Sequence, residues 1–285
     1  MADDFSHLAN DALVLIAHGS TVNNQSSAPT RRLADELRAR NIFAEVVCAF
    51  NLEQPKIDDV PKLVSAQRIF VVPVTISEGH FTEQTIPHRL GLAKAGQIDY
   101  ERIQQIDGRT IIYCHPIGTH ASMTDVLLAR AREVIAQHPF PRAPKPAETA
   151  LFIAGHGTGK NANSRKAIEA QVEAIAALGE YSDVLPVFME EAPFIADCFT
   201  ATDAPNMVMV PFFIADGLHT VEDIPVLLGE PEARVKKRLT AAQPTWRNPT
   251  ERKGKLVWYT EAIGSEAGLA EVILARVREK MTRFQ

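Results

Sequence analysis

Short unbroken apolar runs punctuate the chain at LVLIA (13–17), IFVVPV (69–74), LFIA (151–154), MVMVPF (207–212) and LVWY (256–259). Runs of this length and purity suit strands covered on both faces, as in parallel sheets. Between them the apolar positions change period. Leu33 and Leu37 in the first half, and Ile168, Val172 and Ile175 in the second, recur every three or four residues and mark the buried stripe of a helix. Each half therefore reads strand, helix, four times over. Alternating βα units of this kind predict a parallel sheet with helices on both faces.

The same pattern occurs twice. At an offset of 138 the chain matches itself without a gap from Leu13 to Gly91. LVLIAHGS lies over LFIAGHGT, FAEVVCAF over YSDVLPVF, IFVVPV over MVMVPF, and SEGHFTEQTIP over ADGLHTVEDIP. Further on, Gly118 pairs with Gly264 at an offset of 146, so the second copy carries eight extra residues before its last strand. A period of this size, seen twice, indicates a duplicated domain and not a solenoid. HPFPRAPKPA, with Pro139, Pro141, Pro144 and Pro146, has the composition of a stiff linker. The expected lobes are accordingly 1–146 and 147–285.

Composition narrows the function classes. A 46% hydrophobic, 23% charged chain of 285 residues is that of a globular protein, and a net charge of -5 argues against a general nucleic-acid binder. The first residues, MADDFSHLAND, lack the basic-then-apolar build of a signal peptide, and no apolar run nears the ~18 residues of a membrane span. Cys48, Cys114 and Cys198 are odd in number and far apart, which speaks against a disulfide framework. A cytoplasmic location is expected. Neither copy holds GxGxxG or a Walker loop, so nucleotide readings lose their main support.

The chemistry concentrates at strand ends of the second copy. His156 follows its first strand, Glu190 and Glu191 its second, and Asp216, His219, Glu222 and Asp223 its third. In a parallel sheet these loops open on one edge, where open α/β sheets place their ligands. Two imidazoles with one or more carboxylates form a donor set for zinc, iron, cobalt or nickel, and few protein ligands leave open positions for exchange. Lys160, Asn161, Asn163, Ser164, Arg165 and Lys166 follow His156 and form a candidate anion-binding segment at a helix start. The stretch Glu230 to Lys255 carries eight Lys or Arg against three Glu, or +5, and could form a basic wall over an acidic substrate.

AGHGTGKNANSRK, the FMEEAP loop and PFFIADGLHTVEDIP together resemble the class II tetrapyrrole chelatases of the CbiX/SirB type. The resemblance covers both copies. It implies an α/β fold of two tandem four-stranded lobes facing across a cleft, and insertion of cobalt, iron or nickel into sirohydrochlorin without a nucleotide. The metal is then a substrate, and the implied partner is sirohydrochlorin or a related tetrapyrrole, with no membrane and with a homodimer allowed. Carried over residue by residue, the metal histidines are His156 and His219, and the assisting carboxylate is Glu190 or Glu191. Eight carboxylates on sirohydrochlorin would give the basic residues a purpose.

The first copy departs from the motif. It retains His18 and Glu53, but Phe81 stands over His219, His80 sits one position early, Thr85 replaces Asp223 and Leu52 replaces Glu190. It is expected to be a degenerate lobe, with His18, His80 and Glu53 a doubtful second site. Two alternatives stay open: a tetrapyrrole or metal carrier without turnover, and a metal-dependent hydrolase using two histidines and a carboxylate.

Overall fold

The computed structural model describes residues 5–21, 25–157 and 162–281. The chain forms two compact units, Met1–His120 with Ala267–Gln285, and Ala121–Glu266. Each holds one five-stranded sheet. Among the described residues no helix is long and apolar enough to cross a membrane.

In the first unit, β1 (Ala12–Ala17), α1 (Ala28–Ala39), β2 (Glu45–Phe50), a single turn α2 (Val60–Leu63) and β3 (Arg68–Pro73) follow in order. A π-helical turn, Phe81–Thr85, runs into α3 (Ile86–Arg89), and the hairpin β4 (Ile103–Ile106) and β5 (Arg109–Tyr113) completes the sheet. Strand order is β2-β1-β3-β5-β4. Alternate residues of the strands (Ala12, Val14, Ile16, Ile69, Val71) pack with Ile57, Val60 and Ile86 on one face, while α1 packs on the other through Leu33 and Leu37.

The second unit repeats the plan. It begins with α4 (Met123–Gln137), followed by β6 (Thr149–Gly155), α5 (Asn163–Ala176), β7 (Asp183–Phe188) and β8 (Asn206–Pro211). A second π-helical turn, His219–Asp223, leads into α6 (Ile224–Leu227), and then come α7 (Glu232–Thr240), β9 (Thr250–Arg252) and β10 (Lys255–Tyr259). The last described element is α8 (Gly268–Met281), which belongs to the first unit. The β7-β6-β8-β10-β9 sheet has all seven residues of β6 buried, which explains why LFIA reads as a continuous apolar run.

The structure adds two features to the expected plan. Each sheet has a fifth, antiparallel edge strand beyond the four parallel ones: β4 pairs with β5 and β9 with β10. Their connections, Asp107-Gly108 and Lys253-Gly254, both place two successive residues at positive φ. That backbone matches the twist of a two-residue hairpin, and it also shields the edge of the parallel strands. The compact units also do not divide at residue 146. The helix closing each repeat packs in the other unit: α4 lies on α5, β8 and β10, and α8 lies on α1 and β3.

Candidate functional site

The second unit gathers the expected chemistry at the carboxyl edge of its sheet. Strand β6 ends at Gly155, and His156 follows. The FMEEAP loop is tied to it through the backbone, since the Glu190 and Met189 amides donate to the His156 carbonyl at 3.0 and 3.1 Å. The loop closes on itself by a bond from the Phe188 amide to the Pro193 carbonyl at 2.9 Å. These bonds satisfy backbone groups that have left the sheet and set the side chain of Glu190 beside His156, with Glu190 Oε2 3.6 Å from His156 Nδ1.

His219 opens the π-helical turn after β8. The turn is anchored from below: Thr220, 3% exposed, donates from Oγ1 to the Gly217 carbonyl, and the Tyr259 hydroxyl donates to the Thr220 carbonyl at 2.6 Å. Burial holds the Tyr259 phenol well above its ordinary range, so it remains a donor. A π-turn re-aims side chains relative to an α-helix and is common at functional sites. Here it brings the His219 ring edge-to-face with His156, centroids 4.8 Å apart and planes at 83°. Phe213 lies 6.2 Å from His219 and supplies an apolar flank.

The hydrogen bonds assign the imidazole nitrogens. His156 Nδ1 is 2.7 Å from the Gly157 carbonyl, and His219 Nδ1 is 2.7 Å from Asp223 Oδ2. Both partners only accept, so in the neutral ring each Nδ1 carries the proton and each Nε2 keeps its lone pair. A carboxylate behind an imidazole fixes its orientation and raises its basicity toward a metal. Asp223 thus joins the site by a role that the sequence reading left unassigned, although its i, i+4 spacing from His219 was visible. Among the described residues, no three His, Cys, Asp or Glu side chains already converge on one metal position. The arrangement is a two-imidazole pair with carboxylates at its margin.

The structure separates Glu190 from Glu191. Glu190 is exposed beside His156. Glu191 turns back into the protein, where Arg165 holds it at 2.9 Å and lies over the Phe188 ring at 4.4 Å, its Nη2 also donating to the Ala192 carbonyl. Arg165, expected to contact substrate, is engaged internally, with Glu169 as a further partner. The first unit builds the same clamp: Arg31 lies over Phe50 at 4.6 Å, pairs with Glu53 at 3.6 Å and donates to the Gln54 carbonyl at 2.8 Å. In the repeat alignment Arg31 falls over Glu169 and Ser27 over Arg165, so the two arginines reach equivalent partners from helix positions one turn apart. The same arrangement of guanidinium over ring and against carboxylate, with Glu53 in one unit and Glu191 in the other, thus recurs from non-equivalent helix positions.

Asn163 and Ser164 are half-buried in the first turn of α5, whose N-cap is Ala162 without a side-chain cap bond, and Lys166 is exposed. Lys160 and Asn161 lie outside the described residues. Of the basic insertion, Arg234 and Arg252 pair with Glu230, Lys236 with Glu232, and Lys255 donates to the Thr202 and Ala204 carbonyls.

In the first unit Phe81 takes the corresponding place. Phe81 stacks on His18, centroids 3.8 Å apart, and burial lowers the His18 pKa. His80 is exposed and bonded to Thr85 Oγ1 at 3.3 Å. The doubtful second site is therefore not assembled among the described residues: Phe81 occupies the space where a second imidazole would meet His18.

The family model CbiX matches twice, over residues 12–134 and 150–280. A probable sirohydrochlorin cobaltochelatase of Halobacterium salinarum is 37% identical over 278 residues, spanning 94% of this chain and 91% of that protein. A sirohydrochlorin cobaltochelatase of Methanococcus aeolicus is 28% identical over 141 residues, which is 43% of this chain but 98% of its own length. That relative is a single copy of what is repeated here.

Among solved structures, DR2241 of Deinococcus radiodurans, described as a multi-domain protein with structural similarity to chelatases, superimposes with a TM-score of 0.73 at 27% identity. The match covers 93% of this chain and 54% of that one, so this chain spans about half the length of the Deinococcus protein. SirB from Bacillus subtilis, solved with Fe3+, gives a TM-score of 0.64 at 16% identity over 95% of both chains, a likeness of fold. The strand-His-Gly turn, the π-turn histidine and the two family matches agree, and this chain belongs to the CbiX family.

Proposed function

We propose that the protein inserts a divalent metal ion, cobalt, iron or nickel, into sirohydrochlorin or a closely related tetrapyrrole, and that the second unit carries the reaction. The observation that carries this reading is the His156–His219 pair, with both Nδ1 positions tied and both Nε2 lone pairs available. Two imidazoles sharing one ion at ~2.1 Å, with a near-tetrahedral angle between them, have centroids roughly 5 Å apart. These two stand at 4.8 Å.

Insertion replaces metal-bound water with four ring nitrogens and releases two protons from the macrocycle. Two neutral nitrogen ligands leave most of the coordination sphere open and hold the ion weakly enough to surrender it. Glu190, exposed beside His156, is placed to accept a proton as the ring nitrogens lose theirs, and Asp223 maintains His219 in its metal-binding tautomer. Cobalt is the metal named for the similar Halobacterium and Methanococcus proteins, and cobalt heads this proposal for that reason.

The test is an anaerobic absorbance assay with metal-free sirohydrochlorin and cobalt, iron or nickel. Catalysed conversion to the metallated spectrum supports the reading. Tight binding of the tetrapyrrole without conversion would favour a carrier, and hydrolysis of ester or phosphate substrates would favour a hydrolase.

A further inference from the structure

A pocket of about 850 Å³ lies in the second unit, bounded by the His219 turn, the end of β10, Arg130, Glu133, Val134 and His138 at the end of α4, and the 230–255 insertion region, which is eight residues longer than its counterpart in the first repeat. This volume is within the ~300–1,000 Å³ usual for small-molecule sites. Its position is that of a ligand site, because Asp216 follows β8 and Tyr259 closes β10, on the same carboxyl edge as His156. Thr220, one residue from His219, lines it as well. The pocket therefore lies alongside the turn that carries the proposed metal ligand. Trp246 and Tyr259, nearly buried and 6.0 Å apart between centroids, contribute an aromatic surface.

The basic residues of the insertion sort into those held by partners within the protein, those that line the pocket, and Lys237, which is exposed and outside the lining. Five of its eight basic residues are held elsewhere: Arg234 and Arg252 by Glu230, Lys236 by Glu232, Lys255 by two backbone carbonyls, and Lys253 over the Phe199 ring at 4.9 Å. The two basic residues of the insertion that line the pocket without a carboxylate partner among the described residues are Arg238 and Arg247. Arg238 makes one bond, from Nη1 to the Pro244 carbonyl at 3.1 Å, and Arg247 is exposed. Arg130 of α4 also lines the pocket, paired with Glu133 and Glu266; on the acidic side, Asp216 already accepts the Ala262 amide at 2.9 Å, and Glu133 and Glu261 face the same space. The net field is thus small. What the pocket offers is two planar guanidinium forks with unused donors beside an aromatic surface, the donor geometry that matches carboxylates in pairs of parallel bonds.

We infer that this pocket receives one edge of the tetrapyrrole, with Arg238 and Arg247 binding its peripheral carboxylates while the ring nitrogens reach the ion at His156 and His219. The inference rests on the proposed function for its substrate. It goes beyond that function in assigning the carboxylate-recognition site to the insertion, and hence to one repeat only. It also replaces Arg165, which is engaged internally, as the source of positive charge.

The test is a binding titration of metal-free sirohydrochlorin with the full-length protein, followed by absorbance, so that it does not depend on turnover. Arg247→Ala and Arg238→Ala should each weaken binding roughly two- to fivefold, as exposed charge pairs do, with Arg247→Lys closer to the unmodified protein. Arg247→Glu should weaken it about tenfold, and Glu261→Gln should tighten it, again on the scale of exposed pairs. Opposite signs from two neighbouring exposed side chains are not the result of a general loss of structure, which circular dichroism checks in parallel. Cobalt binding without tetrapyrrole should be unchanged in all five. If sirohydrochlorin binds but none of these substitutions moves its Kd beyond twofold, the pocket assignment is overturned while the metal site stands. If the unmodified protein does not bind sirohydrochlorin at all, the assignment and the proposed function fall together.

Discussion

Substituting Gly157 by alanine tests how the loop architecture holds the site. Gly157 has φ of +72°, and a Cβ built on it would stand 2.7 Å from Glu191 Cγ and 2.9 Å from Phe188 Cβ. Phe188 Cβ is fixed by the strand, so Glu191 must move, and its contacts with Arg165 are lost with it. A left-handed residue with a Cβ costs ~1–2 kcal/mol, and losing a hydrogen bond to a charged group adds ~1.5–3. The expected destabilisation is about 3–5 kcal/mol.

Gly179 supplies the internal control. Its φ is +66°, with nothing within 4 Å of the added Cβ, so Gly179→Ala carries only the backbone cost of ~1–2 kcal/mol. Urea unfolding of the two variants, compared with the unmodified protein, separates the terms, and the gain from a stiffer unfolded chain is common to both. Gly157→Ala should also slow metal insertion more than Gly179→Ala, because Glu190 adjoins the displaced residue. Equal destabilisation by the two substitutions would refute the clamp as the element that sets this loop.

Other outcomes follow from the same geometry. Asp223→Asn removes the charged acceptor behind His219 and should weaken cobalt binding, measured by titration calorimetry, about 10- to 100-fold; an unchanged affinity would show that His219 needs no orienting partner. In the first unit, burial holds the imidazoles of His18, His115 and His120 below their ordinary 6.5. Below that value the unfolded chain takes up protons that the folded unit does not, so stability should fall as pH drops through 6.5, and less steeply in His18→Gln. Urea midpoints at several pH values measure this slope, and an identical slope in the variant would contradict it. The paired change Phe81→His with Thr85→Asp rebuilds the second unit's pattern around His18 and should add a second, weaker equivalent of bound cobalt by titration; binding that stays at one equivalent would mean that more than the stacked ring closes the first site.

Much of this was legible in the chain. The 138-residue offset gave the duplicated α/β plan, and the apolar runs gave the parallel strands, because strands buried on both faces leave no polar alternation to obscure them. The edge hairpins were legible too, since Asp107-Gly108 is a standard two-residue turn signal, but β4 and β9 are short and mostly polar at a sheet edge. Exchange of the closing helices was not legible. The buried residues of α4, Val126, Leu127, Ala131 and Val134, would suit either sheet, and only tertiary packing selects one.

The same limit applied at the site. Glu190 and Glu191 are adjacent in sequence and alike in chemistry; what distinguishes them is Arg165, 26 residues away, approaching one of them. Arg165 itself reads as a free cation beside a helix start until its partners are seen. The difference between the repeats was readable from single letters, for Phe81 in place of a histidine is a ring that stacks on His18 and cannot ligate.

The central claim is that metal insertion belongs to His156 and His219 of the second unit. It is tested most directly by anaerobic cobalt insertion into sirohydrochlorin, followed by absorbance, in His156→Ala, His219→Ala and His18→Ala. The account predicts near-complete loss of turnover in the first two and retention of a substantial part in the third, with all three still folded. Loss in His18→Ala together with retained turnover in His156→Ala or His219→Ala would place the reaction in the first unit and contradict the account.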